Sequence, residues 1–152
     1  MIKVLFVCAG NICRSPMAEY ILKKLVDIED LSDEFEIDSA GTDGLNESLQ
    51  LGMDCRAMKE LERKNVPFSD RLSRRLRAED YDRFDYILAM DTENVYHCMC
   101  LFGADREHKI HRLLDFTDQP RNIEDPWYTD DFDKCYWDIL DGCRAFLDQL
   151  DL

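Results

Sequence analysis

The sequence predicts an α/β fold with a parallel sheet at its centre, because strand-like and helix-like segments alternate along the chain. Ile2–Cys8 is an almost continuous apolar run, which is typical of a strand covered on both faces. A helical pattern follows it, and Phe35–Gly41 then has the pattern of a second strand, which completes a strand-helix-strand crossover that should be right-handed. The length of 152 residues suits one such unit. We therefore expect residues 1–152 to form a single domain.

The first helix is predicted to begin at Ser15 and Pro16. Serine is a favoured N-cap residue, and proline is favoured at the first helical position. One helical stripe then carries the apolar residues Ala18, Ile21, Leu22, Leu25 and Ile28. This stripe is expected to pack on the sheet.

Later segments continue the alternation of helices and strands. They are a helix from Asp54 to about residue 65, a third strand at 84–90, a helix from Asp91-Thr92 towards residue 102, a fourth strand at 110–114 and a closing helix at 132–150. Cys135 and Cys143 lie on the apolar stripe of the closing helix and are predicted core residues. Residues 42–52 and 115–128 lack periodicity and are predicted loops, the second long enough to be functional.

Composition limits the partners and the location. A net charge of −14 argues against binding to nucleic acid or an anionic membrane, and no apolar run is long enough to span a bilayer. Seven cysteines, an odd number spread over strand-like and helix-like segments, indicate reduced thiols, so a cytoplasmic protein is expected. His97, Cys98 and Cys100 would not share one helix face, and we expect no metal site.

Cys8 and Arg14 lie at the two ends of a short polar loop after the first strand. Such a loop lies at the carboxyl edge of the sheet, where open α/β folds bind ligands. Its consecutive amides, together with the helix N-terminus, would form a nest for a phosphate-sized anion. This setting favours a cysteine thiolate, and a planar guanidinium can hold two phosphoryl oxygens. The loop therefore predicts that Cys8 attacks a phosphate ester that Arg14 holds.

The alternative is that Cys8 is an ordinary buried cysteine and Arg14 a surface residue. A cysteine and an arginine separated by five residues occur by chance in many proteins. Here the cysteine follows an apolar strand, the loop contains Gly10 and Asn11, and a helix start follows. This context favours the phosphate loop, in which Ser15 would donate a hydrogen bond to the thiolate.

Residues 7–19, Val-Cys-Ala-Gly-Asn-Ile-Cys-Arg-Ser-Pro-Met-Ala-Glu, resemble the signature of the low-molecular-weight protein tyrosine phosphatases. Residues 38–42, 84–91 and 125–128 resemble later motifs of that family in the same order, so the likeness covers almost the full chain. The resemblance implies a three-layer sandwich whose central four-stranded parallel sheet has the order 2-1-3-4, with helices on both faces. It also implies hydrolysis of phosphotyrosine through a phosphocysteine intermediate, without a cofactor.

The resemblance adds a third catalytic residue to Cys8 and Arg14. Asp125 resembles the general acid that protonates the leaving phenolate and then acts as the base that activates water. Trp127 and Tyr128, which follow it closely, are expected to line a slot for a phenyl ring.

The resemblance also implies which residues surround the phosphate. Those expected to bind it are Ala9, Gly10, Asn11, Ile12, Cys13 and Ser15. Ser39 and Asp91 are expected to support the loop, although an ordinary turn residue is a fair alternative for Ser39. Cys13 resembles a second loop cysteine that can form a protective disulfide with the nucleophile.

The sequence departs from the family pattern near the expected cleft. Leu45 stands where family members often have an aromatic residue, and residues 46–53 form a slightly longer segment. Arg71 stands near the position of a histidine that supports the loop, so loop rigidity is in question. The arginines of residues 63–77 are expected to form a solvated face, with one of them able to support the loop. Ile12 is typical of tyrosine-directed members.

Three other functions remain open. A thiol-dependent arsenate reductase would pass oxidation to further cysteines, for which Cys98 and Cys100 lie in about the right region. A phosphocysteine transfer protein would not need Asp125, and a binding module would dock phosphotyrosine without turnover. For the phosphatase, the expected partners are a phosphotyrosine protein or a small aryl phosphate, with inorganic phosphate as product and a monomer or weak dimer as the working state.

Overall fold

Four parallel strands form the centre of the structure, a computed structural model that describes residues 1–152. In chain order they are β1 (Ile2–Cys8), β2 (Phe35–Gly41), β3 (Tyr86–Ala89) and β4 (Ile110–Arg112). They form one sheet in the order β2-β1-β3-β4, and every neighbouring pair is parallel. The predicted α/β class and strand order are therefore confirmed.

Seven helices and two 3-10 turns connect the strands. The helices are α1 (Arg14–Ile28), α2 (Leu45–Ser48), α3 (Cys55–Arg63), α4 (Asp80–Arg83), α5 (Thr92–Phe102), α6 (Pro126–Thr129) and α7 (Phe132–Gln149), and the turns are Ser32–Glu34 and Leu113–Phe116. None of the helices combines the length and the hydropathy that a transmembrane span requires.

Strand β1 is central because it pairs with β2 on one side and with β3 on the other. Val4 and Phe6 belong to the larger apolar cluster, to which α1 and α7 also contribute. Leu5 and Val7 belong to a second cluster on the opposite face, which includes Cys98 of α5. Helices thus cover both faces of the strand, which explains its nearly continuous apolar sequence.

The predicted strand at 110–114 ends earlier than its apolar pattern indicates. Leu113 and Leu114 are fully buried but belong to a 3-10 turn beneath α7. A Cβ atom on Gly142 would lie 2.5 Å from Leu113 Cγ, so α7 packs directly on this turn. The two leucines are apolar because the helix covers them, not because they pair in the sheet. The third strand is likewise shorter at both ends than residues 84–90.

Three four-residue helices, α2, α4 and α6, were not predicted; α2 lies inside the predicted loop of residues 42–52, and α6 overlaps the predicted loop of residues 115–128. A four-residue helix without a side-chain cap leaves neither a periodicity nor a capping pattern in the sequence. Asn46 of α2 donates a hydrogen bond through Nδ2 to the carbonyl of Gly10 at 2.8 Å. This contact holds α2 against the phosphate loop.

The closing helix α7 matches its prediction closely. Cys135 and Cys143 are both buried in the larger apolar cluster, as predicted. Burial raises the pKa of both thiols, so they stay protonated at neutral pH.

A buried carboxylate joins the end of α3 to α7. Glu60 is 2% exposed and accepts hydrogen bonds from Lys64 Nζ at 2.5 Å and Arg63 Nη2 at 2.7 Å. Lys64 also donates to Asp133 of α7 at 2.7 Å. Burial raises the pKa of Glu60, but the two hydrogen bonds outweigh it and bring that pKa below its usual value.

This lowered pKa makes part of the folding stability dependent on pH. The stabilisation is present above the usual glutamate pKa of about 4.3 and is lost as the pH falls through the lower pKa of the folded state. We expect Glu60→Gln to lower the free energy of unfolding by about 1–3 kcal/mol at neutral pH. The deficit should shrink below pH about 4. Denaturant unfolding at several pH values measures it; a deficit that is constant with pH, or shared by the exposed control Glu62→Gln, would contradict this account.

Candidate active site

The loop between β1 and α1 curls around the sulfur of Cys8. Asn11 adopts a left-handed backbone conformation, with φ of 56°, and its amide donates to Cys8 Sγ at 3.3 Å. Ser15 Oγ lies 3.0 Å from the same sulfur. The Cys8 side chain lies at the carboxyl end of the central strand, where the sequence predicts a ligand site.

Ser15 does not cap the first helix, contrary to the prediction. Helix α1 begins two residues earlier than predicted, at Arg14, with Cys13 in the cap position. The Ser15 hydroxyl instead points inward, where it contacts Cys8 and accepts a hydrogen bond from Asn11 Nδ2 at 2.8 Å. Its place beside the sulfur agrees with the expected hydrogen bond to a thiolate.

Arg14 is 3% exposed, and its guanidinium joins three parts of the chain. Nη1 donates to Asp91 Oδ2 at 2.7 Å and to the carbonyl of Ile123 at 2.8 Å. Nη2 lies 3.5 Å from Asp125 Oδ2. Burial lowers the pKa of Arg14, but the neighbouring charges of Cys8 and Asp91 and the Asp91 hydrogen bond outweigh it and raise that pKa above its usual value. The guanidinium is therefore a permanent cation in the site.

Asp125 lies at the start of α6, more than a hundred residues from the phosphate loop in sequence. Its Oδ1 accepts a hydrogen bond from the Trp127 amide at 3.0 Å, so it caps the short helix, while Oδ2 faces Arg14. The side chain is 27% exposed, which leaves it accessible to a substrate and to water.

A cavity of about 310 Å³ joins these groups. Its lining includes nine of the predicted site residues: Cys8, Ala9, Gly10, Ile12, Cys13, Arg14, Asp125, Trp127 and Tyr128. Asp43, Leu45 and Asn46 complete the wall. Trp127 and Tyr128 are 53% and 84% exposed, so they stand at the mouth, where an aromatic substrate would enter.

The other predicted residues lie behind the loop and form a buried chain of hydrogen bonds. Asn11 Nδ2 donates to Ser15 Oγ at 2.8 Å and to Ser39 Oγ at 3.1 Å. Ser39 Oγ in turn donates to Glu19 Oε1 at 2.7 Å. Asp91 supports the site from another side through its ion pair with Arg14.

The arginine-rich segment supplies further support for Asn11 that was only partly foreseen. Arg71 Nη2 donates to Asn11 Oδ1 at 2.7 Å and Nη1 donates to the Asn11 carbonyl at 3.2 Å. The Ser73 hydroxyl donates to the same carbonyl, and the Arg74 amide to the same side-chain oxygen, each at 3.0 Å. The position of the expected histidine is therefore occupied by an arginine that holds the loop. Nothing in the sequence indicates the roles of Ser73 and Arg74.

We expect Arg71→Ala to lower kcat/KM about tenfold, because Asn11 would lose two donors that hold its left-handed conformation. Thermal stability should fall with it, since part of a buried hydrogen-bond network is removed. Steady-state rates on an aryl phosphate and a melting curve measure both effects. Arg106→Ala is the matched control, because Arg106 is exposed and forms no ion pair. Unchanged kinetics in Arg71→Ala would show that this arginine does not support the loop.

Cys13 is a buried residue of the phosphate loop, and both Cys8 and Cys13 are free thiols in the structure. Burial, with the nearby charges of Asp54 and Cys8, raises the pKa of the Cys13 thiol. The disulfide between Cys8 and Cys13 stays a prediction.

The cysteines considered for an arsenate reductase relay are poorly placed for it. Cys98 is fully buried in the apolar cluster on one face of the sheet, whereas Cys8 belongs to the cluster on the other face. Burial raises the pKa of the Cys98 thiol to about 12, and Cys100 is exposed. Cys98 therefore lies on the face of the sheet opposite to the apolar cluster that contains Cys8.

Known proteins are similar to this chain over nearly its whole length. Residues 3–152 match the family model described as low molecular weight phosphotyrosine protein phosphatase. The low molecular weight protein-tyrosine-phosphatase YfkJ of Bacillus subtilis is 38% identical, covering 97% of this chain and 94% of its own length. The human low molecular weight phosphotyrosine protein phosphatase is 37% identical, with 96% and 94% covered.

Solved structures give the same result. The crystal structure of YfkJ matches with a TM-score of 0.92 and 37% identity, covering 99% of this chain and 95% of that one. The crystal structure of DARP, a Drosophila arginine phosphatase, matches with a TM-score of 0.87 and 34% identity, covering 99% of each chain. The fold is thus shared with these solved structures, and this chain belongs to the low molecular weight phosphotyrosine protein phosphatase family.

Proposed function

We propose that this protein hydrolyses phosphotyrosine, and small aryl phosphates, through a phosphocysteine intermediate on Cys8. One observation carries the proposal: the Cys8 sulfur, the Arg14 guanidinium and the Asp125 carboxylate line a single cavity of about 310 Å³. A nucleophile, a fixed cation and a carboxyl group are the three parts that cysteine-dependent phosphoryl transfer needs.

In the first step, the Cys8 thiolate attacks phosphorus and the bond from phosphorus to the aryl oxygen breaks. Asp125 donates its proton to that oxygen, so the leaving group departs as a neutral phenol. The amides of residues 9–14 and the Arg14 guanidinium bind the non-bridging oxygens as charge shifts in the transition state.

In the second step, Asp125 is a carboxylate and takes a proton from water, which attacks the phosphocysteine. The sulfur–phosphorus bond breaks, inorganic phosphate leaves and the Cys8 thiolate is restored. Ser15 Oγ, 3.0 Å from the sulfur, donates a hydrogen bond to the departing thiolate and makes it a better leaving group.

The cavity walls favour a phenyl ring on the substrate. Trp127 and Tyr128 offer aromatic surfaces at the mouth, and Leu45 offers an aliphatic one. Ile12 lines the same cavity and is the residue expected of tyrosine-directed members. A phosphotyrosine side chain fits this combination better than a short aliphatic phosphate ester.

We also propose the domain organisation, the location, the oligomeric state and the partners of the protein. We take residues 1–152 as one domain that acts in the cytoplasm, as a monomer or weak dimer, on phosphotyrosine proteins or small aryl phosphates. The net charge of −14 disfavours nucleic acid and anionic membranes as partners. No step of the mechanism requires a metal or an organic cofactor.

The test compares three phosphopeptides that differ only in the phosphorylated residue. Phosphate release should be fast from phosphotyrosine and at least about a hundredfold slower from phosphoserine, because the aromatic rim contributes binding only to the aryl ester. Phosphoarginine is the third substrate, since one structural relative is an arginine phosphatase. Preference for phosphoarginine, or equal rates on all three, would contradict the proposal.

A further inference from the structure

Arg56 connects the phosphate loop to the segment that carries Asp125. It lies near the start of α3, whose cap residue Asp54 donates its backbone amide to the Ile12 carbonyl of the phosphate loop at 2.9 Å. The Asp54 carboxylate accepts from Arg56 Nε at 3.3 Å and from Nη2 at 3.2 Å. The guanidinium is therefore fixed relative to the loop that holds Cys8.

The same guanidinium contacts α6, the residue that ends it and the first residue of α7. Nη1 donates to Asp130 Oδ1 at 2.9 Å, and the guanidinium carbon lies 5.3 Å from the Trp127 ring centroid and 4.9 Å from the Phe132 ring centroid. Asp130 ends α6 in a left-handed conformation, with φ of 61°. A cation stacked on two rings and paired with a carboxylate is a well-defined anchor.

The contacts that hold the chain differ on the two sides of Asp125. Upstream, the Ile123 amide donates a hydrogen bond to the Met90 carbonyl at 2.9 Å, and the Ile123 carbonyl accepts one from Arg14. Downstream, α6 has only four residues; Pro126 is buried and Phe132 packs the start of α7 in the larger apolar cluster, but Trp127 and Tyr128 are largely exposed. Arg56 is the residue that ties the end of α6 to α3 through an ion pair.

We infer that Arg56 is a positioning residue for the general acid: it holds α6 against the phosphate loop so that the Asp125 carboxyl faces the leaving oxygen. The inference rests on the proposed function, because it assumes the role of Asp125 in protonating the leaving group. Arg56 does not itself line the cavity or touch the reacting atoms, although it stacks on Trp127, which lines the cavity. An effect through Asp125 should depend on the leaving group, whereas an effect through Trp127 on substrate binding should not.

This indirect role predicts a dependence on the leaving group. Phenyl phosphate has a basic leaving group that needs a proton, whereas 2,4-dinitrophenyl phosphate departs without one. Since kcat/KM reports the first chemical step, Arg56→Met should lower kcat/KM about tenfold for phenyl phosphate and less than about twofold for 2,4-dinitrophenyl phosphate.

Arg83→Met is the matched control. Arg83 also forms an ion pair, with Glu36 at 3.5 Å, and stacks on a ring, with its guanidinium carbon 4.9 Å from the Phe84 centroid. It lies near the amino ends of β2 and β3, at the opposite edge of the sheet from Cys8. Arg83→Met should leave kcat/KM unchanged for both phenyl phosphate and 2,4-dinitrophenyl phosphate. Arg56→Lys keeps a cation beside Asp130 and serves the same test if Arg56→Met does not fold.

A double-mutant cycle with Asp125→Asn separates positioning from general damage. If Arg56 acts through Asp125, adding Arg56→Met to Asp125→Asn should produce no further loss on phenyl phosphate. Equal losses on both substrates, or a full additional loss in the double variant, would overturn the inference while leaving the proposed function intact. If Asp125→Asn alone showed no leaving-group dependence, the role of Asp125 and this inference would both be wrong.

Discussion

Cys8→Ser is expected to lower kcat on phosphotyrosine peptides more than about 10⁴-fold, the largest loss of any single substitution in this chain. A serine hydroxyl is a far weaker nucleophile than a thiolate at neutral pH, and neither hydrogen-bond partner of the Cys8 sulfur is a base. Asn11 and Ser15, the two hydrogen-bond partners of the sulfur, are neutral groups. Initial-rate assays on the wild type and the variant measure the loss.

Binding of phosphate should survive this substitution, because the loop amides and Arg14 remain. Calorimetric titration with inorganic phosphate is the control, and it should give dissociation constants within about threefold of each other for the two proteins. Full activity of Cys8→Ser would show that Cys8 is not the nucleophile. Loss of both activity and phosphate binding would indicate that the substitution had disrupted the phosphate loop.

Arg14→Lys is expected to have the second largest effect, with kcat about 10²–10³-fold lower and a raised KM. Lysine keeps the charge but cannot reach Asp91, the Ile123 carbonyl and two phosphoryl oxygens in one planar arrangement. The free Ile123 carbonyl would also loosen the segment that leads to Asp125. Steady-state kinetics on phenyl phosphate separate the effects on kcat and KM.

Arg121→Lys is the matched control for Arg14→Lys. Arg121 also donates from Nη2 to a carboxylate, that of Asp138, at 2.8 Å, but it lies outside the cavity. The activity of Arg121→Lys should stay within about twofold of that of the wild type. Near-normal turnover in Arg14→Lys would show that the charge alone, and not the forked geometry, serves the reaction.

The parts of the site that could be predicted are those encoded locally. The strand, the loop and the helix from Ile2 to Ile28 form one continuous segment, and an apolar run, a Gly-Asn pair and a proline indicate all three elements, although not the helix start at Arg14. Helix α7 is similarly predictable, because its apolar residues recur at spacings of three and four along eighteen residues. In both cases, neighbours in the sequence determine the structure.

The parts that could not be predicted depend on contacts between distant residues. The bonds from Arg71 to Asn11 cross 60 residues, and the contact from Arg56 to Asp130 crosses 74. An arginine in a charged run has the same local sequence whether it is solvated or buried against a loop. Asp125 is identified as a general acid by resemblance, since the chain has 33 acidic residues and spacing alone does not distinguish one of them, although Trp127 and Tyr128 follow it closely.

The covalent intermediate tests the central claim most directly. Asp125→Asn should form phosphocysteine from 2,4-dinitrophenyl phosphate, which needs no acid, but should hydrolyse it slowly because the base is missing. Quenching within the first turnover, followed by mass spectrometry of the peptides, should show one added phosphoryl group on Cys8. A phosphoryl group on another residue would contradict the mechanism. Rapid release of 2,4-dinitrophenol with no phosphorylated peptide would contradict it as well.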